Sequence, residues 1–411
     1  NGFKITTSRT DWRDEMGVRP VGVTLGSLSK YFPQQQIEAI LHASGREGTR
    51  RRKLPTLELM YYVIALGLHA SEACRSVLRR IMVRKRLADE DDFEAVCSAS
   101  AITQGRKRLG WQPIRDLYRA VVGPLATRAS IGAWYRRWRL VVLDGSVLDV
   151  ADTRKNERAF GRPVASRGKS GFPQLRFVTL LENGTHVMFG AEMAGYRTGE
   201  VTLAHKVIKS LPSDALCLAD RAYFSYSLWK EALATGAQLL WRVRDDLTLP
   251  KLRRLSDGSY LTKIYPSPDA RSRDRGGIEA RLIEYRLGGK GQQYRLLCSI
   301  LEPRKAPAIQ LANLYPKRWT VETALGELKT RLRGARAVLR SRIPTLVRQD
   351  FYALLLAHFG VRALMHEAAL EETIEATDLS FVHALRTVGR YLPLYVSFFP
   401  SEEEALQITL T

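Results

Sequence analysis

Paired cysteines are the first thing missing. Cys74, Cys97, Cys217 and Cys298 are scattered over 411 residues with none of the short spacings that bind zinc, so neither structural zinc nor a disulfide framework is expected. Long apolar runs are also absent. The best, Ala353 to Phe359, is broken by His358 and falls well short of the roughly 20 residues that span a bilayer. No secretory pattern stands at the start of the chain, which opens on Asn1 rather than methionine, and the expectation is a cytosolic protein. There is no internal repeat and no long low-complexity linker. Acid is in short supply too: 42 Asp and Glu face 64 Lys and Arg, a net charge of +22. Such an excess attracts phosphate polyanions, although a membrane surface would also respond to it. The length allows two or three domains and a sizeable core.

Among the fewer acids, three stand out. Leu140-Val141-Val142-Leu143-Asp144-Gly145 is a short apolar run broken by glycine, which reads as a buried strand delivering a carboxylate. Ala215-Leu216-Cys217-Leu218-Ala219-Asp220 ends in the same way. The third acid, Glu322, lies in a basic stretch that begins Tyr315-Pro316-Lys317-Arg318 and runs on to Lys329. As one helix, at about 100° per residue, this stretch puts Arg318, Glu322 and Lys329 on a narrow stripe, joined by Tyr315 if Pro316 opens the helix. Taken singly, a strand-end aspartate or an Arg318/Glu322 surface pair means little. Asp149 and Asp152 are rivals for the first position but are expected past the strand in a polar turn, and Glu327 is the next acid to consider for the third.

The chain between these acids has a readable order. Gln174 to Leu181 is strand-like, Asn183-Gly184 is a two-residue hairpin signal, and His186 to Glu192 is the returning strand. A helix follows, capped by Thr198 and carrying Val201, Ala204, Val207, Ile208 and Leu211 at helical spacing; then come the strand ending at Asp220, a helix over Leu228 to Leu233, and the strand Gln238 to Val243. The order βββαβαβ, with acids on its first and fourth strands, resembles the ribonuclease-H-like fold. The fold class expected is therefore α/β (α+β).

More narrowly, Asp144-Gly145-Ser146, Asp220-Arg221-Ala222-Tyr223, and Tyr315, Arg318, Glu322 and Lys329 at their spacing resemble the three signature blocks of the insertion-sequence family-four DDE transposases. The last block is that family's Tyr-Arg-Glu-Lys motif. The likeness runs from Leu25-Gly26-Ser27-Leu28 to His383-Ala384-Leu385-Arg386; Ser146 and Ala222 stand where threonine and glycine are common. It implies cut-and-paste transposition through a DNA hairpin, by two protomers in a synaptic complex on double-stranded DNA, both terminal inverted repeats and target. Asp144, Asp220 and Glu322 would then hold two Mg²⁺ ions, with Mn²⁺ able to substitute, and Tyr315, Arg318 and Lys329 would contact phosphate. It also implies a cytoplasmic protein, associated with the bacterial nucleoid when on DNA. A structure-specific nuclease or resolvase of the same fold, and a non-catalytic domesticated DNA-binding protein, are the alternatives.

Basic runs at Arg46 and Arg50 to Lys53, at Arg79 to Arg86, at Arg106-Lys107-Arg108 and from Lys329 through Arg342 contrast with a tail bearing Glu371, Glu372, Glu375 and Glu402 to Glu404. A solvated face is the plain reading of a basic run. Because one run continues from the Glu322 helix, Arg331, Arg333 and Arg336 are candidate phosphate contacts. Residues 1–130 are expected to form a helical DNA-binding domain, with Leu57, Tyr61, Ile64, Ala65 and Leu68 on one face. Ser98 to Gln104, before Arg106, Lys107 and Arg108, resembles a recognition element, or else an ordinary bundle helix with a wet basic face. The catalytic core is expected over 131–244 and 305–345, with a C-terminal helical region over 346–411. Between the core segments, 245–304 turns to short strands (Tyr260 to Ile264, Ala280 to Leu287, Tyr294 to Ile300, with a turn at Gly288 to Gly291) and resembles the β-rich insertion of hairpin-forming relatives. There Tyr294 or Trp241 would stack on a flipped base, unless it is a core aromatic. Helices Val347 to Ala369 and Phe381 to Tyr391 either cap the core or join a dimer contact.

Overall fold

The run that carries Asp144 is the central strand of one large sheet. In the computed structural model, which describes residues 30–47, 54–81, 98–165, 168–169, 171–286, 293–334 and 338–391, this strand (β2, Trp138–Val150) is 13 residues long and continues past Asp144. The short β1 (Trp134–Tyr135) folds back on its start. Along one side β3 (Gln174–Glu182) pairs antiparallel; along the other β5 (Ala215–Ala219) pairs parallel and stops opposite Leu143. Flanked on both sides, Leu140 to Leu143 are wholly buried, which is why that half alone reads as apolar. With β4 (Met188–Gly195) outside β3 and β6 (Gln238–Arg242) outside β5, the order is β4-β3-β2-β5-β6. Helices α6 (Arg154–Phe160), α7 (Glu200–Val207) and α8 (Tyr226–Ala234) make the connections. The expected βββαβαβ strand order is present, with the unforeseen α6 inserted between β2 and β3 and Gly199 rather than Thr198 at the N-cap of α7.

The Asn183-Gly184 signal has a different meaning in the structure. The loop between β3 and β4 spans five residues, 183–187, and its left-handed residue is His186 (φ 59°), not Gly184. Gly184 is needed for closeness: a Cβ there would lie 2.7 Å from the Ala133 backbone nitrogen.

The strands of 245–304 extend the same sheet. β10 (Gln293–Cys298) pairs antiparallel with β6, Leu297 opposite Trp241, and β9 (Ile278–Arg286), β8 (Tyr260–Ile264) and β7 (Arg253–Arg254) follow outward, with α9 (Pro268–Ser272) between β8 and β9. The fully buried Arg281 fastens this extension to the returning chain, donating to Ser259 Oγ (2.8 Å) and the Ala306 carbonyl (2.7 Å) and pairing with Asp257. Trp241 therefore lies in the core, wholly buried, with its ring edge-on to Trp229 (5.2 Å, 85°). It has no face to offer a base, which removes it as a stacking candidate. The turn expected at Gly288 to Gly291 and the Leu25 to Leu28 segment lie outside the described residues.

Before the sheet come α1 (Gln34–Ala43), α2 (Thr56–Leu68), α3 (Cys74–Ile81), α4 (Ala99–Leu109) and α5 (Gln112–Val121); after it come α10 (Ala308–Leu314), α11 (Thr320–Gly326), the strand β11 (Val338–Leu339) beside the end of β2, α12 (Pro344–Glu372) and α13 (Phe381–Tyr391). One amphipathic face was the expectation for α2, yet every residue from Leu59 to Leu68 is buried, because α12 packs on it. On its other side α12 meets the sheet, Phe351 against Phe177 (5.3 Å). By length and composition α12 matches a membrane span, contrary to the sequence reading, but 83% of its most apolar window is buried in the protein. It is a core helix, largely apolar because most of its surface is covered, with Gln349, Asp350, His358 and Arg362 as buried polar partners.

Replacing Trp241 by alanine should cost about 3–5 kcal/mol of unfolding free energy, as for other large core aromatics. Urea denaturation followed by fluorescence checks this, and a variant as stable as wild type would take Trp241 out of the core.

Candidate active site

Parallel pairing sets the geometry of the acids. Leu143 on β2 stands opposite Ala219 on β5, so the next residue on each strand, Asp144 and Asp220, emerges side by side where β5 ends. Neighbouring strands lie about 4.8 Å apart. There β2 keeps antiparallel β3 on one side and loses parallel β5 on the other, and the strand order reverses between β3 and β5, the kind of crevice where α/β sheets bind ligands.

Asp144 Oδ1 accepts the Gly145 N–H at 2.8 Å, and Oδ2 lies 3.3 Å from Arg318 Nη1. Burial holds the Asp144 carboxyl above its ordinary range; Glu200 and Asp220 add to the effect, while the Gly145 N–H and Arg318 oppose it. Gly145 is required here for space: a Cβ would stand 2.8 Å from the Phe177 carbonyl oxygen and 2.9 Å from the Tyr223 hydroxyl.

The third acid sits on a broken helix. Tyr315–Trp319 is a 3-10 turn, α11 follows, and Glu327–Arg331 is a π turn closed by the Leu332 N–H on the Glu327 carbonyl (2.8 Å). Three members of the expected stripe do converge on β2 and β5. Tyr315 is buried and donates to the Ala219 carbonyl at 3.2 Å, so its hydroxyl is spent on the end of β5 and not free for phosphate. Arg318, buried, has an Nε–H with no acceptor, and its guanidinium lies 4.6 Å from the ring of the exposed Trp319. Lys329 Nζ donates to Ser146 Oγ at 3.0 Å. Glu322 is exposed in the first turn of α11, one turn beyond Arg318. Among the described residues no three acids, histidines or cysteines stand close enough together to chelate an ion.

The rival acids are accounted for. Asp149 lies within β2, not in a turn beyond it, on the opposite face from Asp144 and accepting from Gln174 Nε2 (2.8 Å); Asp152 pairs with Arg162. Glu327 is 1% exposed. Its carboxylate takes Arg362 Nε at 2.9 Å and His358 Nε2 at 3.1 Å, with Arg362 Nη2 on the other oxygen. Arg362 Nη2 also lies 2.8 Å from His186 Nδ1, and the same ring nitrogen is 3.5 Å from Glu327 Oε1. Burial alone would raise Glu327, but its contacts with the two histidines and the Arg362 charge outweigh it and hold the carboxyl far below the usual range. Burial pulls both histidines down.

The basic candidates divide. Arg331 is exposed, Arg333 is buried, and Arg336 lies outside the described residues. Arg106 is buried, paired with Asp350 at 2.6 Å and bonded to Gln349 at 2.7 Å on α12, so it is not a DNA contact; Lys107 and Arg108 are exposed at the end of α4. Arg50 to Lys53 and 82–86 are outside the described residues. Tyr294 is half-buried, stacked on Tyr285 across the β9/β10 ladder (5.4 Å, 19°) with Arg242 4.4 Å from its ring. Ala219 pairs with Trp241 in parallel register, so Arg242 stands beside Asp220 and this cluster borders the acids. Sequence reasoning passed over Glu200 and Arg242. The only signal for Glu200 was an acid in a first helical turn, which helix dipoles favour anyway.

A sheet of order 3-2-1-4-5, with Asp144 within its first core strand and Asp220 just past its fourth, is that of a ribonuclease-H-like core. A family model described as "Transposase DDE domain" matches residues 137–359, and a second, "Insertion element 4 transposase N-terminal", matches 22–119. The chain belongs to the DDE transposases of insertion-sequence family four. It is 28% identical over 350 residues, 84% of this chain and 77% of the other, to the transposase InsG for insertion sequence element IS4 of Escherichia coli K12. It is 24% identical over 215 residues, 52% of this chain and 69% of the other, to the putative transposase InsZ of the same organism. A piggyBac transposase synaptic complex with hairpin DNA aligns over 90% of this chain and 80% of its own, at a TM-score of 0.49 and 14% identity. The protein is a DNA transposase, an enzyme that cleaves DNA and transfers its strands; its family uses divalent metal ions.

Two outcomes follow from the Glu327 cluster. Glu327→Ala strands the Arg362 charge and should destabilise the fold by about 3–5 kcal/mol, whereas Glu322→Gln, at an exposed position, should change it by less than about 0.5 kcal/mol. Because His186 and His358 take up protons more readily unfolded, near pH 6.5, than folded, stability should fall as pH drops below about 6.5. Urea midpoints at pH 7 and 5.5 measure the second effect; equal midpoints would contradict it.

Proposed function

We propose that this transposase cuts at the ends of an insertion sequence and joins them to target DNA with Asp144, Asp220 and Glu322 as its catalytic acids. The observation that carries this reading is the Leu143/Ala219 register, with Arg318 on Asp144 and Glu322 one turn along from it. Two partly desolvated carboxylates on adjacent strands, faced by one guanidinium, are an oxygen donor set that suits a hard divalent cation such as Mg²⁺, or Mn²⁺ in its place. Asp144, Asp220 and Glu322 would hold two such ions. Ions held there would supply activation of the attacking water or 3′-hydroxyl and charge stabilisation at the leaving oxygen.

The chain's own groups do the rest. Arg318 has an N–H without an acceptor beside Asp144, suited to an oxygen of the scissile phosphate, and its planar fork also keeps it on the carboxylate. Lys329, held by Ser146, contributes a point charge on the same wall. Tyr315 acts by fixing the end of β5. Arg331 serves the flanking strand, and Lys107 and Arg108 the DNA that the helical region over 1–130 reads. Residues 131–244 and 305–345 are the catalytic core, 245–304 the insertion and 346–411 the C-terminal helical region. In the hairpin pathway Tyr294 is the stacking aromatic, in a homodimeric synaptic complex.

Asp144→Asn, Asp220→Asn and Glu322→Gln should each abolish cleavage and strand transfer on end-containing DNA in Mg²⁺ while DNA binding survives. Near-wild-type cleavage by Glu322→Gln would remove it from the set. Arg331→Ala should weaken binding to all end sequences alike and lower the salt slope of log K by about one unit. An unchanged slope would return Arg331 to the solvent.

A further inference from the structure

Glu200 is the first residue of α7, and its carboxylate meets the Tyr223 hydroxyl beside Gly145. Tyr223, buried and three residues after Asp220, closes the turn behind that acid by bonding its N–H to the Asp220 carbonyl (3.0 Å). Its hydroxyl fills the notch that Gly145 leaves beside Asp144 and donates to Glu200 Oε2 at 3.4 Å. The other oxygen lies 3.9 Å from Arg176 Nε, a buried group with no hydrogen-bond partner. Both contacts are long, and the Glu200 side chain is 36% exposed, so its charge is not consumed by structural bonds. Across the site, Arg318 Nε is a buried donor without an acceptor, so donors and acids both remain unanswered around Asp144.

We infer that Glu200 is a positioning acid of the active site, a fourth carboxylate that raises affinity for divalent ions from behind Asp144, with the Tyr223 hydroxyl standing between it and Gly145. Glu200 acts at longer range than a ligand, because the Tyr223 hydroxyl stands between its carboxylate and Gly145. The inference rests on the metal reading of Asp144 and Asp220.

The test is titration of the full chain, without DNA, with Mn²⁺, following free ion by electron paramagnetic resonance. Glu200→Gln should raise the Kd about tenfold, the lower end of what partners behind metal ligands contribute. Glu200→Asp should recover most of the loss, and the metal-free melting temperature should stay at or above wild type because like charges are relieved. Tyr223→Phe, which keeps the acid, should cost less affinity than Glu200→Gln. Wild-type affinity in Glu200→Gln alongside weakened Asp144→Asn overturns the inference and leaves the metal reading standing. A metal-free melting temperature lowered by several degrees in Glu200→Gln also overturns it, in favour of a structural role. Wild-type affinity in Asp144→Asn and Asp220→Asn overturns both.

Discussion

Two carboxylates brought side by side by a parallel register repel each other, and the surrounding structure is arranged about that repulsion. At an effective dielectric of about 20, two unit charges about 5 Å apart oppose each other by about 3 kcal/mol. Asp144 also loses water. One guanidinium from Arg318 and one N–H from Gly145 answer part of this, and Lys329 brings a second cation to the same wall at Ser146. The balance remains short of positive charge, which is the condition a site needs if it is to draw in divalent ions. Local rules broken at a functional centre are offset elsewhere.

The offset comes from buried charges that join the helical layer to the sheet. Glu182, fully buried, accepts the N–H groups of Leu125 and Ala126 at 2.9 Å each and Thr185 Oγ1 at 2.6 Å, and pairs with Arg139. Arg106 with Asp350 and Gln349 does the same between α4 and α12. Glu327 with Arg362, His358 and His186 locks the π turn to α12 and to the β3/β4 loop. A buried pair adds little to stability over an apolar one, but it tolerates only one partner geometry. Here that geometry keeps Arg318 and Lys329 on β2.

Extending the sheet beyond β6 has a second effect. Without β10 the strand that carries Trp241 would be an open edge; with it, Trp241 is sealed against Trp229 and the edge moves out to the short, arginine-bearing β7. The same extension brings Tyr285 and Tyr294 over Arg242, which stands beside Asp220. The insertion is therefore part of the wall around the acids.

Strand and helix order, the two apolar runs that end on Asp144 and Asp220, and the strands Tyr260–Ile264, Ile278–Arg286 and Gln293–Cys298 within a residue or two were legible in the chain, because hydrophobic period and turn residues are local properties. So was the stripe of Tyr315, Arg318 and Lys329. What local pattern cannot carry is which side of an element another element will cover. Arg106 and Arg333 read as basic surface, Trp241 as an available ring and Gly184 as a turn residue, and packing of α12, β10 and Ala133 decided otherwise. Nor could one-dimensional spacing bring Glu200 through Tyr223 to Gly145, since that contact joins three elements across the sheet. The sequence by itself determined the class of fold and the strands that carry Asp144 and Asp220; only the tertiary structure decided which charges stay buried as partners and which remain exposed, because desolvation depends on neighbours distant in the chain.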